Sequence, residues 1–283
     1  MKLAEGGRQR VTSPPLVLAL TSIAFFMVSL DALVVVTALP AIHHSIGGSI
    51  TTLEWAINAY SLTFAAGIIT AAALGDRLGH RRVYVAGLSL FTIASAACAL
   101  APDTAALIAA RAVQGIGSAA VTPLALTILA KAFPPQRRGT IVGIWGGIGG
   151  LAIAGGPLVG GAVVQGLDWH WIFWINVPIG VAAVAGSAIF LPSGRGPATT
   201  RLDLPAVPLV AGGAAAVAWA LVRVGGSGWS DPTAIAAFAL GVALLAGFVL
   251  RERRAAEPML PLRLLRVRAF TAANLAGFLM SGA

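Results

Sequence analysis

The sequence predicts an all-α membrane protein that crosses a lipid bilayer many times. Hydrophobic residues make up 58% of the chain and charged residues 10%, and the mean hydropathy is +0.88. Apolar runs of about 20 residues, the length that crosses a hydrocarbon core, follow one another along the chain. The basic residues lie in short segments between these runs and form no stripe, so the net charge of +9 does not indicate a nucleic-acid-binding protein.

Eight complete apolar runs predict eight membrane spans in two groups. Residues 16–191 hold six spans and form the predicted N-terminal bundle, after a polar tail at residues 1–15 that we expect to be cytoplasmic. Residues 192–250 form a linker region with two further spans. The predicted spans are Leu16–Leu39, Trp55–Leu74, Val83–Ala101, Ala105–Ala130, Thr140–Val164, Trp171–Leu191, Leu204–Val222 and Thr233–Leu250.

A basic connector and the start of a ninth apolar run occupy residues 251–283. The run begins at Ala269, and its fifteen residues reach about 22 Å as a helix, less than a hydrocarbon core of about 30 Å. We therefore expect the chain to be the N-terminal fragment of a longer protein. The first span is longer than the apolar part of a signal peptide, so it is expected to stay in the membrane.

The distribution of Lys and Arg predicts the orientation of the spans. Seventeen of the 19 basic residues lie in the N-terminal tail and in alternate connections on the same side, whereas Arg223 lies on the opposite side and Arg111 inside a span. Because basic connections are retained in the cytoplasm, the N-terminus is predicted to be cytoplasmic in a multi-pass protein of the plasma membrane. On the opposite side, Thr104 is a candidate cap for the fourth helix.

Asp31 and Arg111 are distinctive because they are charged residues deep inside predicted spans. Asp31 lies about fifteen residues into the first span, roughly 22 Å from its inner end. A charge in the hydrocarbon core costs at least about 2.5–3.5 kcal/mol, so each residue is expected to face a cavity or a partner. A carboxyl group there can take a proton from one side and release it to the other. Asp31 could instead be structural, Arg111 could extend to the membrane surface, and the sequence leaves their pairing open.

A charged hairpin, Leu74–Arg82, connects the second and third spans. Gly75 and Gly79 permit a tight turn and a close approach of helices, and Asp76 can pair with a nearby cation or lie at a helix N-terminus. Its three arginines predict a cytoplasmic position. A connection that only sets the orientation of the protein in the membrane would have the same charges.

Glycines are concentrated in the fifth span. Gly156 and Gly160 are four residues apart, and small residues at this spacing let two helix backbones approach closely. Pro157 removes a backbone N–H and permits a kink. Ordinary small-residue packing would give the same pattern, whereas a phosphate-binding loop is not expected because no Gly-Lys-Ser/Thr follows.

Three of these segments resemble motifs of the major facilitator superfamily. The hairpin resembles motif A, with Ala72 and His80 departing from the usual pattern. The segment 111–117 resembles motif B, and the segment 155–161 resembles motif C, a mark of the antiporters. The motif A residues are Asp76, Arg77, Gly79, Arg81 and Arg82, and those of motif C are Gly156, Pro157, Gly160 and Gly161.

Essentially the whole chain resembles the fourteen-helix drug:proton antiporters of this superfamily. The similarity includes Leu30-Asp31 and Ala38-Leu39-Pro40 in the first span, Trp169–Phe173 and Asn176–Gly180 in the sixth, and the two additional spans after it. The resemblance implies an N-terminal six-helix bundle, two linker transmembrane helices and a truncated ninth helix. It also implies proton-coupled efflux of drugs, including antibiotics, by alternating access.

The resemblance implies roles for the candidate site residues. Asp31, Arg111 and Gln114 would form the proton-coupling and substrate cavity, motif A would close the inward mouth, and the fifth span would be a flexible, closely packed element. The expected partners are the lipid bilayer, protons, a small lipophilic or cationic drug, and the missing C-terminal half. No cofactor or metal is expected, because the proton gradient would be the energy source. No nucleic acid is expected as a partner.

Two other functions stay open from the sequence. The same fold could transport a metabolite such as a sugar or siderophore, or the truncated half could transport nothing. An enzyme is not expected, because two isolated charges supply no catalytic carboxyl pair, metal cluster or nucleophile with its base.

Overall fold

The computed structural model describes residues 13–192, 205–255 and 271, and all regular secondary structure in these ranges is helical. Eight segments there are long and apolar enough to cross a membrane, with α6 and α7 counted as one crossing, which confirms the predicted all-α membrane fold. The helices are α1 Pro14–Ile46, α2 Ile50–Leu78, α3 His80–Ala99, α4 Thr104–Ala132, α5 Pro135–Gly166, α6 Trp171–Trp174, α7 Asn176–Phe190, α8 Ala206–Ser227 and α9 Pro232–Arg254.

Several predicted regions fall outside the described residues. These are most of the N-terminal tail, the start of the linker at residues 193–204, and nearly all of the connector and ninth run. The chain divides into two compact units, Met1–Ala198 and Thr199–Ala283. The predicted domain boundaries at residues 191 and 250 stay predictions.

Most of the helices are longer than the predicted apolar runs because backbone hydrogen bonding continues beyond the hydrocarbon core. α1 begins with Pro14 in its first turn and ends at Gly47, whose φ of 70° is favourable only for glycine. Asp103, and not Thr104 as predicted, caps α4 by accepting a hydrogen bond from the Ala106 N–H at 2.8 Å.

The charged hairpin is tighter than the nine-residue connection predicted from the sequence. Gly79 alone lies outside the helices, since α2 extends through Leu78 and α3 begins at His80. Its φ of 99° reverses the chain direction in one residue, which an L side chain rarely permits. Asp76 therefore lies in the last turn of α2, not at a helix N-terminus.

The predicted sixth span consists of two helices. α6 ends at Trp174 and α7 begins at Asn176, so the regular helix is interrupted at Ile175. Pro178 contributes to this interruption because it has no N–H to donate to the carbonyl group four residues earlier. The interruption lies beside the polar residues of the candidate site.

The core of the first unit consists of two apolar layers with polar residues between them. On α1, one layer extends from Val17 to Val28 and the other begins at Val34, with Asp31 between them. α3 and α4 also contribute to both layers, and Ser95 of α3 and Arg111 of α4 lie between them. The second unit contains α8 and α9, which approach closely at glycines: an added Cβ at Gly241 would lie 2.8 Å from the Val217 nitrogen.

Candidate functional site

Asp31, near the middle of α1, is the centre of a buried polar network. Its side chain has no exposed surface. Three side chains donate hydrogen bonds to its carboxylate: Arg111 Nη1 to Oδ2 at 2.5 Å, Gln114 Nε2 to Oδ1 at 3.0 Å, and Asn176 Nδ2 to Oδ1 at 2.8 Å. Asp31 therefore faces partners on α4 and α7 instead of lipid.

Arg111 is the cation of this network and is also fully buried. Its Nε donates to the backbone oxygen of Ala56 at 3.2 Å, and its guanidinium carbon lies 4.1 Å from the centre of the Tyr60 ring. A desolvated contact of this kind is worth about 2 kcal/mol. The pairing with Asp31 that the sequence left open is present, and the alternative of an Arg111 side chain at the membrane surface is wrong.

Gln114 fixes the geometry of the ion pair because its amide contacts both partners. Its Oε1 accepts a hydrogen bond from Arg111 Nη1 at 2.8 Å, while its Nε2 donates to Asp31. The Cys98 thiol donates a weak bond to the same oxygen at 3.5 Å. Arg111 and Gln114 are three residues apart on α4, so both lie on one helix face. The structure brings the three predicted cavity residues together, and their role in transport stays a prediction.

Three further residues of the network were not predicted as site residues. Asn176 donates to both Asp31 and Ser95, Ser95 donates to the Phe173 carbonyl, and Tyr60 packs on the guanidinium of Arg111. A signal for Asn176 exists in the sequence, because it is an amide inside an apolar run shortly before Pro178. No comparable signal distinguishes Ser95 from other small polar residues in the spans.

Glycines on α4 allow the helices around the network to meet. An added Cβ at Gly117 would lie 2.6 Å from the Phe91 nitrogen on α3, and one at Gly115 would overlap the Tyr60 backbone on α2. These contacts hold α4 against both neighbours at the depth of Arg111. Only a residue without a side chain fits at either position.

The motif A residues form a second, more exposed cluster at the α2–α3 turn. His80 Nε2 lies 2.9 Å from Asp76 Oδ1, and Lys131 Nζ lies 3.2 Å from His80 Nδ1. Arg81 donates to the backbone oxygen of Leu191 at 3.0 Å, so the turn also contacts the end of α7. The remaining predicted residues have different positions: Gly79 forms the turn, and Arg77 and Arg82 are exposed.

The motif C residues divide between two faces of α5. A Cβ at Gly156 would lie 3.0 Å from Leu33 Cβ, and one at Gly160 would lie 3.0 Å from the Val34 oxygen, so both glycines lie against α1. Gly161 has no atom within 4 Å of an added Cβ, and Pro157 is exposed. The close helix approach that the spacing of Gly156 and Gly160 predicts is observed at both glycines.

The network can hold or release one proton at Asp31. A neutral carboxyl group no longer attracts the guanidinium, so the protonation state of Asp31 controls an ion pair between α1 and α4. Within residues 13–192 and 205–255, no three His, Cys, Asp or Glu side chains cluster closely enough to hold a metal ion.

Comparison with known proteins identifies a family and several relatives. The sequence model of the Major Facilitator Superfamily matches residues 21–283. The tetracenomycin C resistance and export protein of Streptomyces glaucescens is 37% identical over 87% of this chain and 46% of its own length. The methylenomycin A resistance protein of Streptomyces coelicolor is 39% identical over 98% of this chain and 58% of its own length. The multidrug transporter protein MdtP of Bacillus subtilis is 35% identical over 99% of this chain and 52% of its own length. The chain thus spans about half the length of these relatives.

Solved structures share the fold at low sequence identity. A crystal structure of the peptide transporter POT superposes with a TM-score of 0.62 at 18% identity, over 84% of this chain and 52% of that chain. The human organic anion transporter MFSD10 superposes with a TM-score of 0.55 at 17% identity, over 72% and 55%. At these identities the similarity supports the fold alone.

Proposed function

The chain belongs to the major facilitator superfamily, and we propose that it serves the proton-coupled export of drugs across a bacterial membrane. Membership in this superfamily confirms the resemblance found in the motifs and identifies a transporter family, not an enzyme family. The bacterial relatives with resistance and export names support drugs, including antibiotics, as the substrate class. Alternating access around a cavity between helical bundles is the expected mechanism.

The observation that supports proton coupling is the fully buried Asp31–Arg111 pair. Two charges out of water are stable only when paired, and removal of one leaves the other uncompensated. Uptake of a proton by Asp31 neutralises the carboxylate and frees α1 from its strongest contact with α4. Proton binding can therefore change the packing of the helices, which a coupled exporter requires.

Motif A and motif C have supporting roles in this proposal. The Asp76–His80–Lys131 cluster joins the end of α2 to the end of α4 and would stabilise closure of the inward mouth. Gly156 and Gly160 let α5 lie directly on α1 near Asp31, so α5 can follow movements of α1. Lipid, protons, a lipophilic or cationic drug and a C-terminal half are the proposed partners.

Drug accumulation in everted membrane vesicles tests the function. We expect vesicles that contain the full-length product of the gene to accumulate ethidium, methylenomycin A or tetracenomycin C when the vesicle interior is acidic. Dissipation of the pH gradient should stop accumulation. Asp31→Asn should abolish it, and the control Asp168→Asn, in a connection outside the spans, should retain it. Accumulation by Asp31→Asn against the drug gradient would exclude this carboxyl group as the coupling residue.

The orientation of the chain is a separate part of the proposal. The position of 17 of the 19 basic residues on one side supports a cytoplasmic N-terminus and a cytoplasmic α2–α3 turn. Reporter fusions after Arg82 and after Asp103 should report opposite sides of the membrane, with the first inside the cell. The reverse result would contradict the orientation without affecting the buried network.

A further inference from the structure

Asn176 links the ion pair to the interruption in the sixth span. Its side chain is 1% exposed, and its Nδ2 donates to Asp31 Oδ1 at 2.8 Å and to Ser95 Oγ at 3.1 Å. Ser95 Oγ in turn donates to the Phe173 carbonyl at 3.0 Å. A continuous chain of hydrogen bonds therefore connects Asp31 with the last turn before the break at Ile175.

The three side chains bonded to Asp31 are arranged for a carboxylate and not for a carboxylic acid. Arg111, Gln114 and Asn176 all donate to it. A protonated Asp31 has a hydrogen to donate and requires an acceptor in their place. A guanidinium group has no acceptor, so Arg111 cannot supply one.

Gln114 cannot supply the acceptor without a conflict. Its oxygen already accepts from Arg111 Nη1 at 2.8 Å. Rotation of the amide by 180° would turn its NH₂ group towards the guanidinium, so that two donors would face each other. The orientation of Gln114 therefore depends on Arg111, whose guanidinium group has only donors.

Asn176 can supply the acceptor because its other partner is a hydroxyl group. A serine hydroxyl both donates and accepts, so Ser95 tolerates either end of the amide. If the Asn176 amide rotates by 180°, its oxygen occupies the position of the nitrogen. It can then accept one hydrogen bond from protonated Asp31 and one from Ser95, whose hydroxyl turns away from the Phe173 carbonyl.

We propose that Asn176 is a positioning residue that reverses its amide when Asp31 takes up a proton, and so transmits protonation to the interruption in the sixth span. This inference rests on the proposed function. The titratable or charged groups around Asp31 are Arg111 on α4, Tyr60 on α2 and Cys98 on α3. None of them combines a donor to Asp31 with a replaceable acceptor.

Reversal of the Asn176 amide would change the hydrogen bonding of the backbone at the break between α6 and α7. Reversal withdraws the Ser95 hydroxyl from the Phe173 carbonyl, next to Trp174, whose carbonyl receives no N–H from Pro178. A helix bends most readily where its backbone bonds are already missing. Protonation of Asp31 would therefore change the stability of the backbone at the break between α6 and α7.

Transport measurements on two Asn176 variants test the proposal. Asn176→Leu removes both donor and acceptor, and Asn176→Gln retains both. The matched control is Asn58→Leu, which removes an amide on α2 outside the network. We expect Asn176→Leu to lose about tenfold in pH-driven ethidium accumulation, the size of one buried hydrogen bond. Asn58→Leu should retain wild-type pH-driven accumulation and downhill ethidium flux, and Asn176→Gln should restore most of the pH response that Asn176→Leu loses. A pH profile of Asn176→Leu equal to that of Asn58→Leu would overturn the proposal.

Infrared difference spectroscopy tests amide reversal independently of transport. With isotope-labelled asparagine, the signal that is present in the wild type and lost in Asn176→Gln belongs to Asn176. We expect its amide carbonyl band to shift together with protonation of a carboxyl group, and both changes to be absent from Asp31→Asn. A constant Asn176 band while Asp31 titrates would contradict the reversal, even if Asn176→Leu does not fold. Absence of any pH response in wild-type vesicles would instead contradict the proposed function.

Discussion

The two charged clusters of the first unit contain similar residues in opposite surroundings. At the network, both members of the Asp31–Arg111 pair are 0% exposed. At the α2–α3 turn, the Asp76 carboxylate is 59% exposed and bonds to His80, the first residue of α3. Water solvates the Asp76 carboxylate whether or not it is paired, whereas neither charge of the buried pair is exposed, so loss of the carboxylate should have very different effects at the two clusters.

The largest expected effect is at the network. Asp31→Leu leaves Arg111 buried without its counter-charge, and we expect a loss of about 3–5 kcal/mol in the free energy of unfolding. The double variant Asp31→Leu/Arg111→Met should recover most of this loss, because it buries no unpaired charge. Unfolding in detergent with increasing denaturant gives both values. Equal stability of the single and double variants would remove the contrast between the clusters.

Gly160 and Gly161 of α5 extend the comparison between enclosed and open sites to uncharged residues. Gly160→Leu places side-chain atoms against Val34 and Thr37 on α1, and we expect a cost of about 1–3 kcal/mol from overpacking. Gly161→Leu is the matched control, since no atom lies within 4 Å of its added Cβ. The same unfolding measurement should place Gly161→Leu near the wild type. A larger loss for Gly161→Leu would show that its face of α5 is covered in the protein.

A smaller effect is expected at the α2–α3 turn. Asp76→Asn removes the charge of an exposed carboxylate, and ion pairs at exposed sites contribute about 0.2–1 kcal/mol. The loss should diminish as salt is raised, because screening acts strongly on exposed charges and weakly on buried ones. A salt titration of both Asp76→Asn and Asp31→Leu therefore sharpens the comparison. Insensitivity of the Asp76→Asn effect to salt would indicate that the turn is shielded from solvent.

The smallest effect is expected at Asp168, in the connection between α5 and α6. The backbone N–H of His170, at 3.2 Å, is the main reason that the pKa of this carboxyl group lies below its usual value, and the His170 side chain adds to it. A lowered pKa contributes stability above the unfolded value of about 3.9, and this contribution is lost as pH falls. Thermal unfolding curves of the wild type and Asp168→Asn should differ slightly at neutral pH and converge in acid. A difference that grows in acid would reverse the sign of this argument.

Much of the fold could be predicted because a membrane span is a local property of the sequence. Apolar runs identified all eight crossings in the described residues. Their ends were less predictable, because helices such as α1 continue past the hydrocarbon core until a glycine such as Gly47 ends them. The single-residue turn at Gly79 also depends on a backbone conformation that the charges around it do not indicate.

The sequence alone identified Asp31 and Arg111, because charged groups are rare and costly inside a hydrocarbon core, and the resemblance to motif B added Gln114. Only the tertiary structure showed that they meet, and that Asn176 and Ser95 complete the network. The contact between Asp31 and Asn176 joins positions 145 residues apart and depends on helix rotation, on close approach at glycines, and on the interruption at Ile175. These are properties of packed helices, so hydropathy along one chain cannot specify them.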